Sequence, residues 1–574
     1  MTQQVHNPAT GFRFALVIGA VVLVSLVLVW RAVDLHVFRK DFLQNQGDAR
    51  YLRIVPISAH RGMITDRHGE PLAISTPVDS VWVQPADFSE AHQAWPKLAR
   101  LLQLDLAQLQ RKVLARKDRE FVYLKRHISP QLAEKVMALG IPGVNLQREY
   151  QRYYPAGEVM AHVVGFTDVD DQGQEGLELA YNDWLQGVAG SQRVLKDRLG
   201  RVVRYVEQIA RPEPGKDLVL SLDQRLQYLA YRELKRAVQQ HKARSGSVVV
   251  LDVQTGEVLA MVNQPAYNPN NRGQFKGGQT RNRAVTDVFE PGSTVKPFTV
   301  TAALESGKFR PTSMIDTAPG RFNIGKAVVR DARNYGRISV ATVIKKSSNV
   351  GASKIALALP DAALWNVFTR VGFGLTTGSG FPGEAGGLLS HARHWRDIEK
   401  ATLAFGYGLS VTPLQLTRAY SGLAADGIMR PVSFLRVDEP VQGKRVMPAR
   451  IARLIRPMLE AVIHDGGTGT RARVTGYSVS GKTGTVKKAT AGGYSDDRYI
   501  AVFAGFAPAS RPRLAMVVTI NEPRGKEYYG GQVAAPVFAR IMAGALRALN
   551  IPPDTAPDTS LKRVALANPV EVTP

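Results

Sequence analysis

The sequence predicts an α+β fold whose larger domain is an antiparallel sheet covered by helices. Runs of Val, Ile, Leu and Ala typical of strands occur in two groups, at residues 247–262 and at residues 500–520. A mostly helical stretch of about residues 298–463 separates these groups, and a helical pattern at residues 532–549 follows them. Strands and helices segregated along the chain in this way are typical of α+β domains rather than of alternating βαβ folds.

In chain order, the first element is an apolar segment at residues 14–30 that carries no charge. As a helix it extends about 25 Å, close to the thickness of a bilayer core. We therefore predict a transmembrane helix over residues 14–33, with residues 1–13 as a cytoplasmic tail. The alternatives are a buried core helix and a cleaved signal peptide, but residues 30–34 lack the small-x-small pattern of a cleavage site.

The basic residues beside this segment leave its orientation open. Arg13 precedes the segment, whereas Arg31, Arg39 and Lys40 follow it, and this distribution opposes a cytoplasmic N-terminus. A domain of more than 500 residues follows, however, and long domains cross membranes largely regardless of local charge.

Residues 34–215 are predicted to form a separate, non-catalytic domain. Apolar and polar residues alternate around Ile64 and Leu72 on either side of an Asp-Arg-His-Gly turn, which indicates a hairpin. Leu and Ala at helical spacing indicate helices within residues 91–140. The Pro-rich residues 211–215 mark the boundary with the next domain.

The second predicted domain covers residues 216–550. It begins with a strand that leads into a helix at about residues 224–240, and the strands of residues 247–262 flank a Gln-Thr-Gly turn as a hairpin. Residues 551–574 are rich in Pro, Asp and Thr with few large apolar residues, and we expect them to be a disordered tail.

Composition restricts the possible partners. The formal net charge of +25 favours contact with anionic surfaces such as phospholipid headgroups, anionic glycans or nucleic acid. Arg and Tyr alternate in residues 148–155, as in some single-stranded nucleic-acid sites, but this segment follows a membrane anchor, so no nucleic-acid partner is expected. The absence of Cys excludes cysteine metal sites and is compatible with an oxidising compartment.

Residues 290–298, Glu-Pro-Gly-Ser-Thr-Val-Lys-Pro-Phe, contain the best candidate nucleophile. Pro291 and Gly292 interrupt the preceding chain, so Ser293 falls in or beside the first turn of a helix. A spacing of three places Lys296 on the same side of that helix. A lysine can accept the hydroxyl proton when desolvation or another cation lowers its pKa, so a second cation is expected nearby.

Two further segments follow in a defined order. Ser347-Ser348-Asn349 ends an apolar-periodic run, and residues 480–485, Ser-Gly-Lys-Thr-Gly-Thr, begin a β-rich stretch. The series S-x-x-K, S-x-N and K-T-G is shared by penicillin-binding proteins and class A β-lactamases. The chain resembles a class B penicillin-binding protein, and residues 61–73 and 148–178 are similar to motifs of that family's non-catalytic domain.

This resemblance implies a penicilloyl-serine transferase (β-lactamase-like) fold preceded by an elongated pedestal domain. It also implies an acyl-enzyme mechanism, in which the backbone amides of Ser293 and Thr485 form the oxyanion hole. The implied catalytic residues are Ser293, Lys296, Ser347, Asn349 and Lys482. The implied substrate-binding residues are Thr483, Gly484 and Thr485, which together with Lys482 suit a terminal carboxylate.

The implied function is that of a serine D,D-transpeptidase that crosslinks peptidoglycan stem peptides, most similar to the septal enzyme of cell division. The resemblance implies a single-pass inner-membrane protein with a periplasmic catalytic domain. Expected partners are a stem pentapeptide donor, an acceptor peptide amine, β-lactam antibiotics, a polytopic glycosyltransferase and other division proteins. No metal or organic cofactor is implied.

Other functions are compatible with parts of this pattern: a β-lactam sensor, a catalytically silent scaffold and a side-wall elongation transpeptidase. A class A β-lactamase is disfavoured, because no Glu between Lys296 and Lys482 has an Asn four residues later to help activate water. A class A penicillin-binding protein is disfavoured as well, because pedestal motifs occupy the place of a glycosyltransferase domain.

Overall fold

The structure is a computed structural model that describes residues 8–41, 52–196, 202–275, 277–439, 441–490 and 493–555. The α-helices, in chain order, are α1 (Pro8–Val33), α2 (Pro85–Glu90), α3 (Trp95–Leu102), α4 (Leu106–Leu114), α5 (Pro130–Met137), α6 (Ala161–Val164), α7 (Gly176–Ala180), α8 (Asn182–Leu185), α9 (Gln224–Gln240), α10 (Arg283–Thr286), α11 (Lys296–Glu305), α12 (Val340–Lys346), α13 (Asn349–Leu357), α14 (Asp361–Arg370), α15 (Asp397–Leu403), α16 (Pro413–Ala424), α17 (Ala449–Glu460), α18 (Gly530–Val533) and α19 (Ala535–Ala548).

The β-strands, also in chain order, are β1 (Leu52–Ile57), β2 (Ile64–Thr65), β3 (Pro71–Val83), β4 (Val122–Ile128), β5 (Val144–Tyr153), β6 (Phe166–Thr167), β7 (Gly173–Glu175), β8 (Gly190–Lys196), β9 (Val202–Ala210), β10 (Leu218–Val219), β11 (Ser245–Asp252), β12 (Val258–Gln264), β13 (Met314–Asp316), β14 (Arg321–Ile324), β15 (Ala327–Arg330), β16 (Arg337–Ser339), β17 (Ile428–Met429), β18 (Lys444–Arg445), β19 (Ser480–Thr490), β20 (Gly493–Ala507) and β21 (Leu514–Asn521).

The predicted apolar helix is present near the N-terminus. α1 continues as a π-helical turn at Asp34–Phe38, and residues Phe12–Phe38 have the length and hydropathy of a membrane span, with a mean hydropathy of 2.7. None of the most apolar part of this helix is buried against protein, which disfavours the alternative of a core helix. Asp34 forms ion pairs with Arg31 and Arg39, two of the cations at the end of the span.

The chain forms two compact units whose boundaries differ from those predicted at residues 34–215 and 216–550. The smaller unit comprises the described parts of Met1–His60, Pro77–Gln151 and Gly187–Pro214, and the larger unit comprises the rest. Two segments before residue 215 thus belong to the larger unit.

A buried ion-pair cluster explains this difference. Arg61 and Arg152 both contact the fully buried carboxylate of Glu178, at 2.7 and 2.6 Å. Apolar residues of the same two segments pack into one core with Leu218 and Val249, which lie after the predicted domain boundary at residue 215. Ion pairing with Glu178 therefore accounts for Arg61 and Arg152. Ile64 pairs with Ala73 across the predicted hairpin.

The smaller unit contains an antiparallel sheet in the order β1-β8-β9. Its second sheet region pairs the end of β3 with β4, and helices α2 to α5 cover a core that includes Phe88, Trp95 and Leu98. The helical pattern predicted for residues 91–140 is confirmed for α3, α4 and α5, but strand β4 interrupts it.

The larger unit is built on a five-stranded antiparallel sheet in the order β12-β11-β21-β20-β19. α9 and α19 pack together on this sheet, and α16 packs on its central strands. The α+β prediction is thus confirmed, including helix 224–240, the hairpin of β11 and β12, and the late strands. β19 is an edge strand, which leaves one of its sides available for a ligand.

Two sequence predictions for this unit need correction. Helices make up most of the regular secondary structure in residues 298–463, but the stretch also contains long loops and the strand pairs β13–β16, β14–β15 and β17–β18. The predicted disordered tail starts too early, because Ile551 is buried and the carboxylate of Asp554 accepts hydrogen bonds from Ser478 and Ser510. The remainder of that prediction, residues 556–574, lies outside the described residues.

Candidate active site

Ser293 lies in a tight turn that precedes the helix predicted for it. Residues Gly292–Val295 form a 3-10 turn, and α11 begins at Lys296 with Pro297 in its first turn. Gly292 has a φ of +53°, a left-handed conformation that glycine adopts without a steric penalty. The turn is held from outside, because the N–H of Gly292 donates to Gly406 O at 3.1 Å and the hydroxyl of Tyr420 donates to Thr294 O at 2.8 Å.

Lys296 is fully buried directly beside the candidate nucleophile. Its Nζ lies 3.0 Å from Oγ of Ser293 and donates to the carbonyl of Ser347 at 2.6 Å and to Oδ1 of Asn349 at 2.8 Å. The amine is therefore fixed in position by two acceptors while it contacts the serine. This geometry suits proton transfer between the two groups.

The protonation of Lys296 follows from its surroundings. Burial lowers the pKa of Lys296 well below its ordinary value, and the nearby cation of Lys482 lowers it further, whereas the negative charge of Asp331 opposes both. Lys482 is thus the second cation expected beside Lys296. A lysine in this state can be a neutral amine near pH 7 and can accept a proton.

Ser347 connects the two lysines. It follows the last turn of α12 in a left-handed conformation with φ of +61°, which is uncommon for a residue with a side chain. Its Oγ lies 3.3 Å from Nζ of Lys296 and 2.9 Å from Nζ of Lys482. A proton can therefore pass between the lysines through one hydroxyl.

Lys482 and the threonines of the K-T-G segment lie on edge strand β19. Burial lowers the pKa of Lys482 to about 7, so charged and neutral forms are both accessible near neutral pH. The hydroxyl of Thr483 shares a 2.7 Å hydrogen bond with that of Thr468, and Oγ1 of Thr485 accepts from the N–H of Gly530 at 2.9 Å. The segment is thus pre-ordered by partners outside the three motifs.

Gly484 lets this strand approach the nucleophile turn. A Cβ at this position would lie 3.0 Å from the carbonyl oxygen of Pro291 and 3.1 Å from Cγ2 of Thr294. Glycine therefore avoids tight contacts where β19 packs against the turn that carries Ser293.

Comparison with known proteins agrees with this geometry. Residues 246–543 match the family described as "Penicillin binding protein transpeptidase domain", and residues 56–220 match the "Penicillin-binding Protein dimerisation domain". The chain is 46% identical over 557 residues to "Peptidoglycan D,D-transpeptidase FtsI" of Escherichia coli K12, covering 96% of this chain and 94% of that relative. The chain belongs to the class B penicillin-binding proteins.

Solved structures support this membership. The transpeptidase domain of Burkholderia pseudomallei penicillin-binding protein 3 is 43% identical, with a TM-score of 0.55 over 59% of this chain and 98% of that one. A peptidoglycan synthetase from Bifidobacterium adolescentis shares the fold at 24% identity, with a TM-score of 0.70 over 88% of this chain and 98% of that one. The match to the dimerisation domain, at residues 56–220, overlaps most of the separate domain predicted at residues 34–215.

Sequence reasoning missed Asp331, which orders the middle motif of this penicillin-binding protein. Its carboxylate accepts from the hydroxyl of Ser348 at 2.6 Å and from the backbone N–H of Val350 at 3.0 Å, and also from the N–H of Asn349. The negative charge lies at the start of α13, where it interacts favourably with the helix dipole. No motif marks an aspartate sixteen residues before Ser347, so sequence alone offered no signal.

Glu290, the first residue of the nucleophile segment, has a structural role that the sequence does not predict. Its carboxylate accepts from the N–H of Gly408 at 2.8 Å and from the hydroxyl of Tyr494 at 2.9 Å, and burial raises its pKa. These bonds join the segment before Ser293 to the loop after α15 and to strand β20.

Proposed function

We propose that the protein is a membrane-anchored serine D,D-transpeptidase that crosslinks peptidoglycan stem peptides during septal wall synthesis. One observation carries this proposal, namely the continuous series of contacts from Ser293 Oγ through the buried Nζ of Lys296 and Oγ of Ser347 to Nζ of Lys482. The series supplies a nucleophile, a base of lowered pKa and a route for the proton in one arrangement.

In the acylation step, neutral Lys296 takes the proton of Ser293 as Oγ attacks the carbonyl between the last two D-alanines. The carbon–nitrogen bond then breaks, and the proton returns through Lys296 and Ser347 to the nitrogen of the departing D-alanine. The products are an acyl ester on Ser293 and free D-alanine, so protons and electron pairs balance. The 3.0 Å contact between Nζ and Oγ is within the range for direct proton transfer.

The K-T-G segment binds the terminal carboxylate of the donor peptide. Lys482 supplies a cation next to the Thr483 and Thr485 hydroxyls, and such a combination suits a carboxylate. Asn349 holds Lys296 with its oxygen and has one amide N–H left for the substrate, since the other donates to the carbonyl of Arg330 at 3.1 Å. The backbone amides of Ser293 and Thr485 stabilise the oxyanion, and each such donor is typically worth about 10²–10³-fold in rate.

An acceptor peptide amine completes the reaction by attacking the ester. An amine is a stronger nucleophile than water, and the site holds it in place. A penicilloyl ester is resolved slowly, because its tethered ring fragment obstructs the acceptor and the Glu-x-x-x-Asn motif of a hydrolase is absent between Lys296 and Lys482. β-Lactams therefore act as long-lived covalent inhibitors.

The N-terminal helix anchors the enzyme as a single-pass protein of the inner membrane, with the catalytic unit in the periplasm. The exposed apolar span Phe12–Phe38 supports the anchor, and the FtsI relative supports a role at the septum rather than at the side wall. A polytopic glycosyltransferase that supplies glycan strands, and other division proteins, are the expected partners.

Donor and acceptor peptides provide the direct test. Purified protein is incubated with a peptide ending in D-Ala-D-Ala and an amine acceptor, and released D-alanine and the crosslinked product are measured by mass spectrometry. We expect both products with the wild type and neither with Ser293→Ala. D-alanine release without any crosslinked product at saturating acceptor would instead indicate a carboxypeptidase.

A further inference from the structure

A groove outside the catalytic cleft lies where α11 and α14 of the larger unit pack together. Its volume is about 440 Å³, within the range of about 300–1,000 Å³ that is typical of small-molecule sites. Glu305 at the end of α11 lines the groove, whereas Lys296 begins the same helix. The rise of a helix over this length places their Cα atoms about 13 Å apart. None of the lining residues belongs to the three catalytic motifs.

The apolar part of the groove consists of small side chains and one indole. Ala302 and Ala363 line it, and their small side chains leave room for a ligand beside Trp365. The imidazole of His391 contacts the indole of Trp365 with ring centroids 4.6 Å apart, which holds the indole in position. Trp365 is only partly buried, so part of its surface is open to a ligand. An indole provides a broad contact surface for an apolar ring face.

Two polar groups of the groove lack partners. Oε1 of Glu305 and Oγ1 of Thr369 are buried and have no hydrogen-bond partner within the described part of the chain. Unsatisfied buried polar groups are costly, so a ligand that supplies partners to them gains affinity. Both groups can turn toward a ligand, because the terminal torsion of a glutamate is soft and a hydroxyl hydrogen rotates freely.

The charges that line the groove neutralise each other. The second oxygen of the Glu305 carboxylate accepts from Nη2 of Arg370, so this carboxylate already has its counter-ion. Two further lining residues, Ser306 and Asn366, are neutral and exposed. A charged ligand therefore finds no free counter-ion here, whereas a neutral ligand with several hydroxyl groups finds both donors and acceptors.

The geometry points to a saccharide-binding site in this groove, where an uncharged pyranose ring packs on Trp365 and its hydroxyls bond to Glu305 and Thr369. Such a ring has an apolar face and a rim of hydroxyl groups, which match the indole and the two unpartnered oxygens. Rings of this type occur in glycan strands and in free sugars. Saccharide binding at this groove is independent of the proposed acyl transfer, because the lining residues lie outside the catalytic motifs.

Titration with chitotetraose, a neutral oligosaccharide of N-acetylglucosamine, tests this site. The full chain is first acylated with penicillin to block the cleft of Ser293, and binding is measured by saturation-transfer-difference NMR. We expect saturable binding with a Kd of about 1 mM or below. Trp365→Ala should weaken it at least about tenfold, and Thr369→Val about fivefold, the factor that one net hydrogen bond contributes. Thr369→Val removes an unpartnered buried hydroxyl, so its melting temperature should not fall.

Trp184→Ala provides the matched control, because Trp184 is an exposed indole of the same unit that lies outside the groove. This variant should bind chitotetraose as the wild type does. Choline chloride, a cationic probe that an indole can attract, should not displace the oligosaccharide.

Monomeric N-acetylglucosamine distinguishes the two sources of the ring. Binding at least about tenfold weaker than that of chitotetraose indicates a glycan strand, and equal binding indicates a free sugar; both outcomes support the site. The absence of saturable binding to the acylated wild type, wild-type affinity in folded Trp365→Ala, loss of binding in Trp184→Ala, or displacement by choline would each overturn the inference.

Discussion

Substitution of Gly406 by Ala should misplace the nucleophile while leaving every catalytic side chain in the protein. Gly406 has a φ of +90°, and a Cβ added there would lie 2.1 Å from the carbonyl oxygen of Gly292. The added Cβ and the carbonyl oxygen of Gly292 must move apart by more than about 1 Å to reach an ordinary van der Waals distance. Since Gly292 immediately precedes Ser293, that movement displaces the serine turn, and a misplacement of about 1 Å costs about 10²-fold in rate.

Gly408→Ala provides a matched control for this experiment. Gly408 has a similar φ of +84°, so alanine suffers a similar left-handed penalty of about 1–2 kcal/mol at both positions. The nearest atom to a Cβ at Gly408 is Cδ2 of Leu403 at 3.8 Å, so no atom has to move. The second-order rate of penicillin acylation is measured for both variants, with thermal unfolding as a check of the fold. Rates for the two variants within about threefold of each other would refute the reasoning.

Three further perturbations test the site. Asp331→Asn should lower the melting temperature by several degrees, because a charged cap of α13 is typically worth about 1–2 kcal/mol. It should also move the acidic limb of the acylation pH profile to lower pH, since the Asp331 charge opposes the lowering of the Lys296 pKa. Lys482 has a pKa of about 7 when folded, so between about pH 7 and pH 10 it binds fewer protons in the folded than in the unfolded chain. The free energy of unfolding should therefore rise with pH over this range, by up to about 1.4 kcal/mol per pH unit from Lys482. Urea titrations at several pH values should show a smaller rise of this free energy with pH for Lys482→Met. Lys296→Ala should fold normally and acylate at least about 10²-fold more slowly, as stopped-flow labelling would show.

Sequence periodicity predicted the elements of the larger unit well, because its sheet strands and long helices are buried and strongly patterned. The three-residue spacing of Ser293 and Lys296 also predicted their contact, since that spacing depends on local helical geometry alone. That Ser347 and Lys482 share this site was predicted only from the order of the motifs and the family resemblance, because no local rule relates residues separated by 135 positions.

Features that depend on long-range packing were not predictable in this way. The assignment of residues 61–76 to the larger unit depends on the burial of Glu178 between Arg61 and Arg152, which joins distant segments. Asp331 has no sequence signal, because an aspartate after a short strand is as typical of a turn as of a helix cap. The short strand pairs within residues 298–463 escaped detection because runs of three or four residues carry little periodicity.

The central claim, that Ser293 forms a slowly resolved acyl ester, is tested most directly by intact-protein mass spectrometry after exposure to penicillin. Wild-type protein should gain the mass of one penicilloyl group per chain, the adduct should persist for many minutes after removal of free drug, and peptide mapping should locate it on Ser293. Ser293→Ala, with an unchanged melting temperature, should gain no mass. A penicilloyl group on another residue of the folded protein, or rapid multiple-turnover hydrolysis by the wild type, would contradict the account.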